Sequence, residues 1–254
     1  MELIKSAARR SKLSDVAYVV LNLGLAGAVF GLTVAFTPPY LAYLLIILSK
    51  WRVFAVRPRF WLANMQGNTI DTLVGVSVVT LMWHSAGQLT VQLLITVLYA
   101  AWLLVIKPRS KRKDMIIQAE IGQFLGITAV MGMAYYLDVG LIVAACWLIG
   151  YIAAWHALQS YDEDDARLLG MVWGIIVAEC AWLGANWTSA YTLSGNLLVP
   201  QTAVIVSLIG YIVRRAYDYV YHGTLDWKRL RAPIIFTVAV FAIMFIRELS
   251  DIFA

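Results

Sequence analysis

KWRVFAVRPRFWLANMQGNTID, residues 50–71, separates two long apolar runs and contains four basic residues and two tryptophans. Pro58 stands before the second apolar run, and proline fits the first turn of a helix. A helix that begins there would place four residues on one face, at spacings of four, three and four: Asn64, Asn68, Asp71 and Gly75. Asp71 would lie roughly 20 Å along that helix. We expect a carboxylate at such a depth to face protein or water rather than lipid.

The same residues allow a second interpretation. If the helix begins near Asn68, then Asn68 and Asp71 would cap its free N–H groups. The basic residues would then be anchors at the membrane surface. If the helix begins at Pro58 instead, the guanidinium groups suit an anion or a lipid headgroup. The candidate substrate-binding residues of the stretch are Arg52, Arg57, Arg59, Asn64, Asn68 and Asp71.

Composition places the whole chain in the membrane class. Of its 254 residues, 61% are hydrophobic and only 14% are charged, and the mean hydropathy is +0.76. Soluble domains have about 45–50% apolar and roughly 25% charged residues. Since no strand-like alternation recurs along the chain, we expect an all-α polytopic membrane protein with a single transmembrane domain over residues 1–254. Positive loops explain the net charge of +5 without a nucleic-acid partner.

The apolar runs predict about nine transmembrane helices. Their expected ranges are 14–36, 39–55, 58–84, 88–106, 115–136, 139–158, 166–187, 197–214 and 232–248. Lysine and arginine gather in alternate connections, so the positive-inside rule predicts a cytoplasmic N-terminus and an external C-terminus. Three Gly-x-x-x-Gly pairs, starting at Gly27, Gly122 and Gly170, would allow close packing within the chain or a homo-oligomer.

Three further sets of acidic residues are candidates for chemistry. Glu179 lies inside the predicted seventh helix, where a charged carboxylate is costly, so we expect it in a proton- or ion-coupling site or as a neutral hydrogen-bonding group between helices. Glu120 is a second coupling candidate, although an acidic residue near a helix N-terminus is also favoured by the helix dipole. Asp162 and Asp165 would offer oxygen ligands to Mg²⁺, or would form a solvated first turn.

Two resemblances concern these motifs. Nine helices with polar motifs after the second and sixth resemble the UbiA-type polyprenyltransferase superfamily, which implies a Mg²⁺–diphosphate site at Asp162 and Asp165. The Asn64, Asn68 and Asp71 pattern departs from that family, because it offers one carboxylate where the family has several. The phrase from Trp51 through Arg-Pro-Arg-Phe-Trp-Leu-Ala-Asn64 is similar to uncharacterised multi-pass proteins of candidate-phylum bacteria, which implies a bacterial inner membrane.

Binding or translocation of a small anionic or lipid-linked solute is therefore the expected function, without enzymatic activity or a cofactor. In this hypothesis Arg57 and Arg59 stand at the mouth, Asn64, Asn68 and Asp71 line the path, and Glu179 couples an ion. One alternative is a Mg²⁺-dependent prenyl or lipid-linked transferase. The other is a structural or assembly subunit of a membrane complex. In every case the surrounding partners are membrane lipids.

Overall fold

The computed structural model describes residues 2–55, 57–187, 190–194 and 197–253, and these residues are overwhelmingly helical. Their α-helices are α1 (Glu2–Ala35), α2 (Tyr40–Leu48), α3 (Trp61–His84), α4 (Leu89–Ala101), α5 (Arg112–Gly132), α6 (Val139–Gln159), α7 (Ala166–Trp187), α8 (Gln201–Tyr221) and α9 (Trp227–Phe253). Short 3₁₀ helices cover Trp51–Ala55 and Pro58–Phe60, and a π-helical turn, Trp102–Ile106, extends α4. Two antiparallel strands, β1 (Ala190–Ser194) and β2 (Leu197–Pro200), connect α7 to α8.

Five helices in the described part of the chain are long and apolar enough to cross a membrane: Ser14–Ala35 of α1, Leu89–Ile106, α5, α6 and α7. The fold is therefore that of a helical protein suited to a membrane. The expected count of nine spans is not supported. One reason is that α2 has only nine residues before the chain turns into the 3₁₀ segment at Trp51.

Predicted helix limits agree best where apolar runs are uninterrupted. The limits of α7 are those expected, and α6 ends one residue later than expected. The first apolar span begins at Ser14 as expected, and helix α1 itself extends back to Glu2. Residues 197–200 were expected to be helical but form β2, whose Val199 pairs with Tyr191 of β1. The helix therefore begins only after Pro200.

Helix α3 occupies the centre of the bundle and packs against α5, α2, α4, α1 and α6. Glycines permit the closest approaches. A Cβ atom at Gly122 would lie 2.8 Å from Ile70 of α3, and one at Gly174 would lie 2.8 Å from the backbone oxygen of Trp147 on α6. The pairs that begin at Gly122 and Gly170 therefore serve packing within the chain, whereas Gly27 and Gly31 face open space.

Polar contacts bring several connections together at one end of the bundle, called the basic end here. Arg112, at the start of α5, donates from Nε to the Ser160 carbonyl at 3.0 Å. Gln118 donates to the carbonyls of Ile106 and Arg109, each at 2.8 Å. The α4–α5 connection thus lies beside the α6–α7 connection, and both lie near the last turns of α8.

Candidate functional site

Asp71 is the centre of a buried ion cluster in the middle of α3. Its Oδ2 atom contacts the ammonium groups of Lys50 and Lys107, the latter at 2.7 Å. Its Oδ1 atom accepts a hydrogen bond of 3.0 Å from Nε1 of Trp102. The carboxylate is buried, so the expectation that it faces protein rather than lipid is confirmed.

The start of α3 decides between the two interpretations of the opening stretch. The helix begins at Trp61, directly after the 3₁₀ turn at Pro58, and runs without a break through Asn68. Asn68 donates to the Asn64 carbonyl at 2.8 Å inside the helix. The interpretation of Asn68 and Asp71 as caps is therefore wrong, and Asp71 belongs to the helix interior.

Lysine side chains reach Asp71 from helix ends. Lys50 follows the last turn of α2, and Lys107 follows the π-helical turn that extends α4. Gly75, one turn after Asp71, leaves room for Ile46 and for the hydroxyl of Tyr99, which an added Cβ atom would meet at 2.8 and 3.2 Å. The cluster therefore joins α2, α3 and α4. It carries two positive charges against one negative charge.

Two basic residues of the opening stretch stay at the surface, whereas Lys50 of the same stretch reaches this carboxylate. Arg57 and Arg59 are exposed, and the Arg59 guanidinium lies 4.7 Å from the ring centre of Phe60. The side chain of Arg52 lies outside the described residues. Asn64 and Asn68 are half-buried. The structure thus keeps Arg57 and Arg59 at the surface, while Asp71 is covered by Lys50, Lys107 and Trp102.

A cavity of about 590 Å³ lies between α5, α6, α7 and α8. Its walls are largely apolar, and its size falls within the roughly 300–1,000 Å³ of small-molecule sites. Apolar side chains of all four helices form the body of the cavity, among them Ala119, Phe124, Ala154, Ile176 and Val213. Leu169 and Val172 on α7 also line it and remain exposed. The cavity therefore opens at these residues to the exposed side of the bundle.

Polar groups stand at two places along this cavity. At the basic end, Nε of Arg214 lies 2.8 Å from Oε1 of Glu120. Deeper, Trp173 donates from Nε1 to Oε1 of Gln123 at 2.6 Å. Glu120, the second coupling candidate, therefore pairs with an arginine at the cavity wall. The arrangement combines an apolar slot with one charged pair, which suits an amphiphilic molecule.

A tyrosine network lines the cavity at the basic end. Tyr161 donates to Oδ1 of Asp218 at 3.2 Å, and Tyr217 donates to Oε2 of Glu163. Burial, reinforced by the Asp218 carboxylate, raises the pKa of Tyr161 to about 12. Burial and then Glu163 likewise raise the pKa of Tyr217. Both phenols therefore remain hydrogen-bond donors at neutral pH.

Arg112 joins this network through its guanidinium group. It lies 4.7 Å from the ring centre of Tyr161 and 5.0 Å from that of Tyr221. Such cation–π contacts contribute about 0.5–1 kcal/mol at exposed sites and more when desolvated. The acidic α6–α7 connection is thereby held against α5 and α8, next to the cavity.

The remaining acidic candidates lie apart from one another. Asp162 and Asp165 are exposed in the α6–α7 connection, whereas Asp71 is enclosed by its lysines. Among the described residues, no three histidine, cysteine or acidic side chains are grouped as metal ligands. Glu179 is exposed on α7 and is not part of the cavity wall. The structure therefore does not join Glu179 to Asp71, nor Asp71 to Asp162.

Sequence reasoning missed the partners that define both sites. Lys50, Lys107 and Arg214 belong to the lysines and arginines that gather in alternate connections, and the positive-inside rule assigns them no side-chain partner. One signal was present: a carboxylate at the start of an apolar run can be paired by a cation, and these lysines end neighbouring apolar runs. Comparison of the chain with known proteins gave no match to any family model, curated protein or solved structure.

Proposed function

We propose that this chain binds an amphiphilic molecule, a lipid or a lipid-linked solute, in the cavity between α5, α6, α7 and α8. The observation that carries the proposal is an apolar slot of about 590 Å³ with an arginine–carboxylate pair at one end. Apolar walls suit a hydrocarbon chain, because its atoms make the dispersion contacts that an empty slot would lack. The exposed Leu169 and Val172 beside the slot offer a route from the bilayer.

The head of the ligand would lie at Arg214. A guanidinium group has five N–H donors, and Glu120 approaches it at Nε. The other N–H groups of the guanidinium can donate to phosphate or carboxylate oxygens. Arg214 and Arg215 both act on Glu120, so two positive charges stand near one negative charge, and we expect a head with a single anionic group.

In this proposal the basic end of the bundle faces the cytoplasm of a bacterium and the N-terminus lies on that side. Lysine and arginine are retained on the cytoplasmic side of inner-membrane proteins. Lys50, Lys107 and Arg112 all lie at connections of that end. The ligand head at Arg214 would then lie in the cytoplasmic half of the membrane.

The buried Asp71 cluster has a structural part in the proposal. Lys50, after α2, and Lys107 and Trp102, at the end of α4, all contact its carboxylate. These contacts would hold α2, α3 and α4 in fixed positions relative to each other. The rigid half of the molecule would then support the lipid cavity on the other side of α5. The exposed Arg57 and Arg59 would bind headgroups at the surface.

Photo-crosslinking in nanodiscs tests the proposal. The probe is phosphatidylglycerol with a diazirine in its acyl chain, and labelled peptides are mapped by mass spectrometry. We expect labels on α7 and α8 near Trp173 and Gly210. Ala154→Phe, which places a ring in the slot, should lower this labelling about tenfold, equivalent to about 1.4 kcal/mol of overpacking.

The matched control is Ala28→Phe, because Ala28 is exposed on α1 and lies outside the cavity wall. It should leave labelling unchanged. Arg214→Gln should weaken labelling by phosphatidylglycerol more than labelling by uncharged diacylglycerol carrying the same diazirine. Labelling of α7 and α8 that is equal in the wild type and in Ala154→Phe contradicts the proposal.

A further inference from the structure

Glu179 stands on an outward face of α7 that has no partner within the described residues. Ile175 and Leu183, one turn before and one turn after it, are 52% and 41% exposed, and Glu179 is exposed as well. The opposite side of α7 packs against α6 through Gly170 and Gly174. A carboxyl group is thus presented outward in the middle of an apolar stripe.

The position along α7 places this group within the hydrocarbon layer. Glu179 lies eight residues before Trp187 and thirteen after Ala166. At 1.5 Å per residue it is about 12 Å from one end of the helix and about 20 Å from the other. A bilayer core is about 30 Å thick. Contact with lipid would therefore leave the carboxyl group without hydrogen bonds in an apolar medium, which is unfavourable.

The chain itself offers one chemistry that satisfies this group. The candidate spans carry lysine or arginine only in their first turns, at Arg112, Lys113 and Arg167. The candidate spans of a second copy therefore bring no cation to the depth of Glu179. It brings another Glu179. A neutral carboxyl group has one O–H donor and further acceptor capacity, so two of them are complementary to each other.

We infer that two copies of this chain associate through α7, with the two Glu179 carboxyl groups hydrogen-bonded across a two-fold axis. A two-fold interface brings the same surface of each subunit together, so residues near the axis meet their own copies. Ile175 and Leu183 then pack on either side of the carboxyl pair. Val172 and Ile176, which line the lipid cavity, lie seven and three residues before Glu179 and therefore share its side of α7, so the interface would border the cavity.

The glycine pairs do not provide this interface. Gly170 and Gly174 are already filled by Tyr151, Trp155 and Trp147 of α6. Gly27 and Gly31 on α1 are open, but they lie on a different helix and have no polar group that needs a partner. Association of two copies through Gly27 and Gly31 of α1 would therefore contradict the inference.

Cysteine crosslinking in liposomes tests the interface. The background is the Cys146→Ala/Cys180→Ala chain, and single cysteines replace Ile175 or Leu183 on the proposed face. Controls are Leu94→Cys on α4 and Leu21→Cys on α1, since Leu94 and Leu21 are 59% and 70% exposed. We expect oxidised dimers from the two α7 positions and none above background from the controls. Dimers formed at Leu21→Cys instead overturn the inference.

Equilibrium energy transfer between donor- and acceptor-labelled copies, diluted stepwise with lipid, supplies the second measurement. Glu179→Leu should raise the apparent dissociation constant about 3- to 20-fold, the range expected for one hydrogen bond between transmembrane helices. Glu179→Gln retains a donor and an acceptor, so it should stay within about twofold of the wild type. A chain that is monomeric at every dilution overturns the inference, and so does equal weakening by the Gln and Leu variants.

Discussion

Replacing Asp71 by asparagine removes the negative charge on which Lys50 and Lys107 converge. The side chain of Lys50 is 11% exposed and that of Asp71 is 7% exposed, whereas Lys107 is 29% exposed. Lys107 can direct its ammonium group toward water when the carboxylate is gone. Lys50 has little access to water, so Asp71→Asn leaves it as an uncompensated buried charge.

The expected loss of unfolding free energy follows from that difference in burial. Removing one partner of a buried ion pair costs about 3–5 kcal/mol. Lys50→Met should cost less, about 1.5–3 kcal/mol for one hydrogen bond to a charged group, because Asp71 keeps Lys107 at 2.7 Å and Trp102 at 3.0 Å. The double variant Asp71→Asn/Lys50→Met should recover most of the loss caused by Asp71→Asn.

Equilibrium unfolding in detergent micelles, followed by tryptophan fluorescence, measures these differences in unfolding free energy. Variants at Gly31 serve as a reference for a position without contacts. The double variant is decisive, since the energies of contacting residues are not additive. If Lys50→Met is as costly as Asp71→Asn, or if the double variant is the least stable of the three, the reasoning about an orphaned Lys50 is refuted.

Two further predictions concern packing and the tyrosine network. Gly174→Ala should lower the free energy of unfolding by about 1–3 kcal/mol, because its Cβ atom would meet the Trp147 backbone oxygen at 2.8 Å; the control Gly31→Ala, in open space, should be neutral or slightly stabilising in the same detergent titration. Tyr161→Phe should cost about 1.5–3 kcal/mol through loss of the hydrogen bond to Asp218. The pKa of Tyr161 is raised from 10.0 to about 12, so above pH 10 the unfolded wild type loses the phenol proton before the folded protein does. The difference in unfolding free energy between the wild type and Tyr161→Phe should therefore be constant below pH 10 and shrink toward pH 12. A difference that vanishes well below pH 10 contradicts this prediction.

Local sequence patterns predicted well what depends on neighbours along the chain. The uninterrupted apolar run of α7 gave its limits, and the spacing of Asn68, Asp71 and Gly75 placed the carboxylate on a protein-facing side of α3. These features follow from hydropathy and from 3.6 residues per turn. The early end of α2 was not predicted, because a 3₁₀ turn follows it within the apolar run. The strand at 197–200 was not predicted either, because its pairing with β1 overrides the apolar character of its residues.

The sequence by itself determined the class of the protein, a helical chain suited to a membrane, because burial of apolar surface and satisfaction of the backbone allow few other arrangements. It also showed that Asp71 and Glu179 needed explanation. Only the tertiary structure decided how each is placed. Lys50 and Lys107 lie 21 and 36 positions from Asp71, and no local pattern links them. The packing of α6 against the glycines of α7 turned Glu179 outward, and the side chains that line the cavity where Glu120 meets Arg214 do not include it.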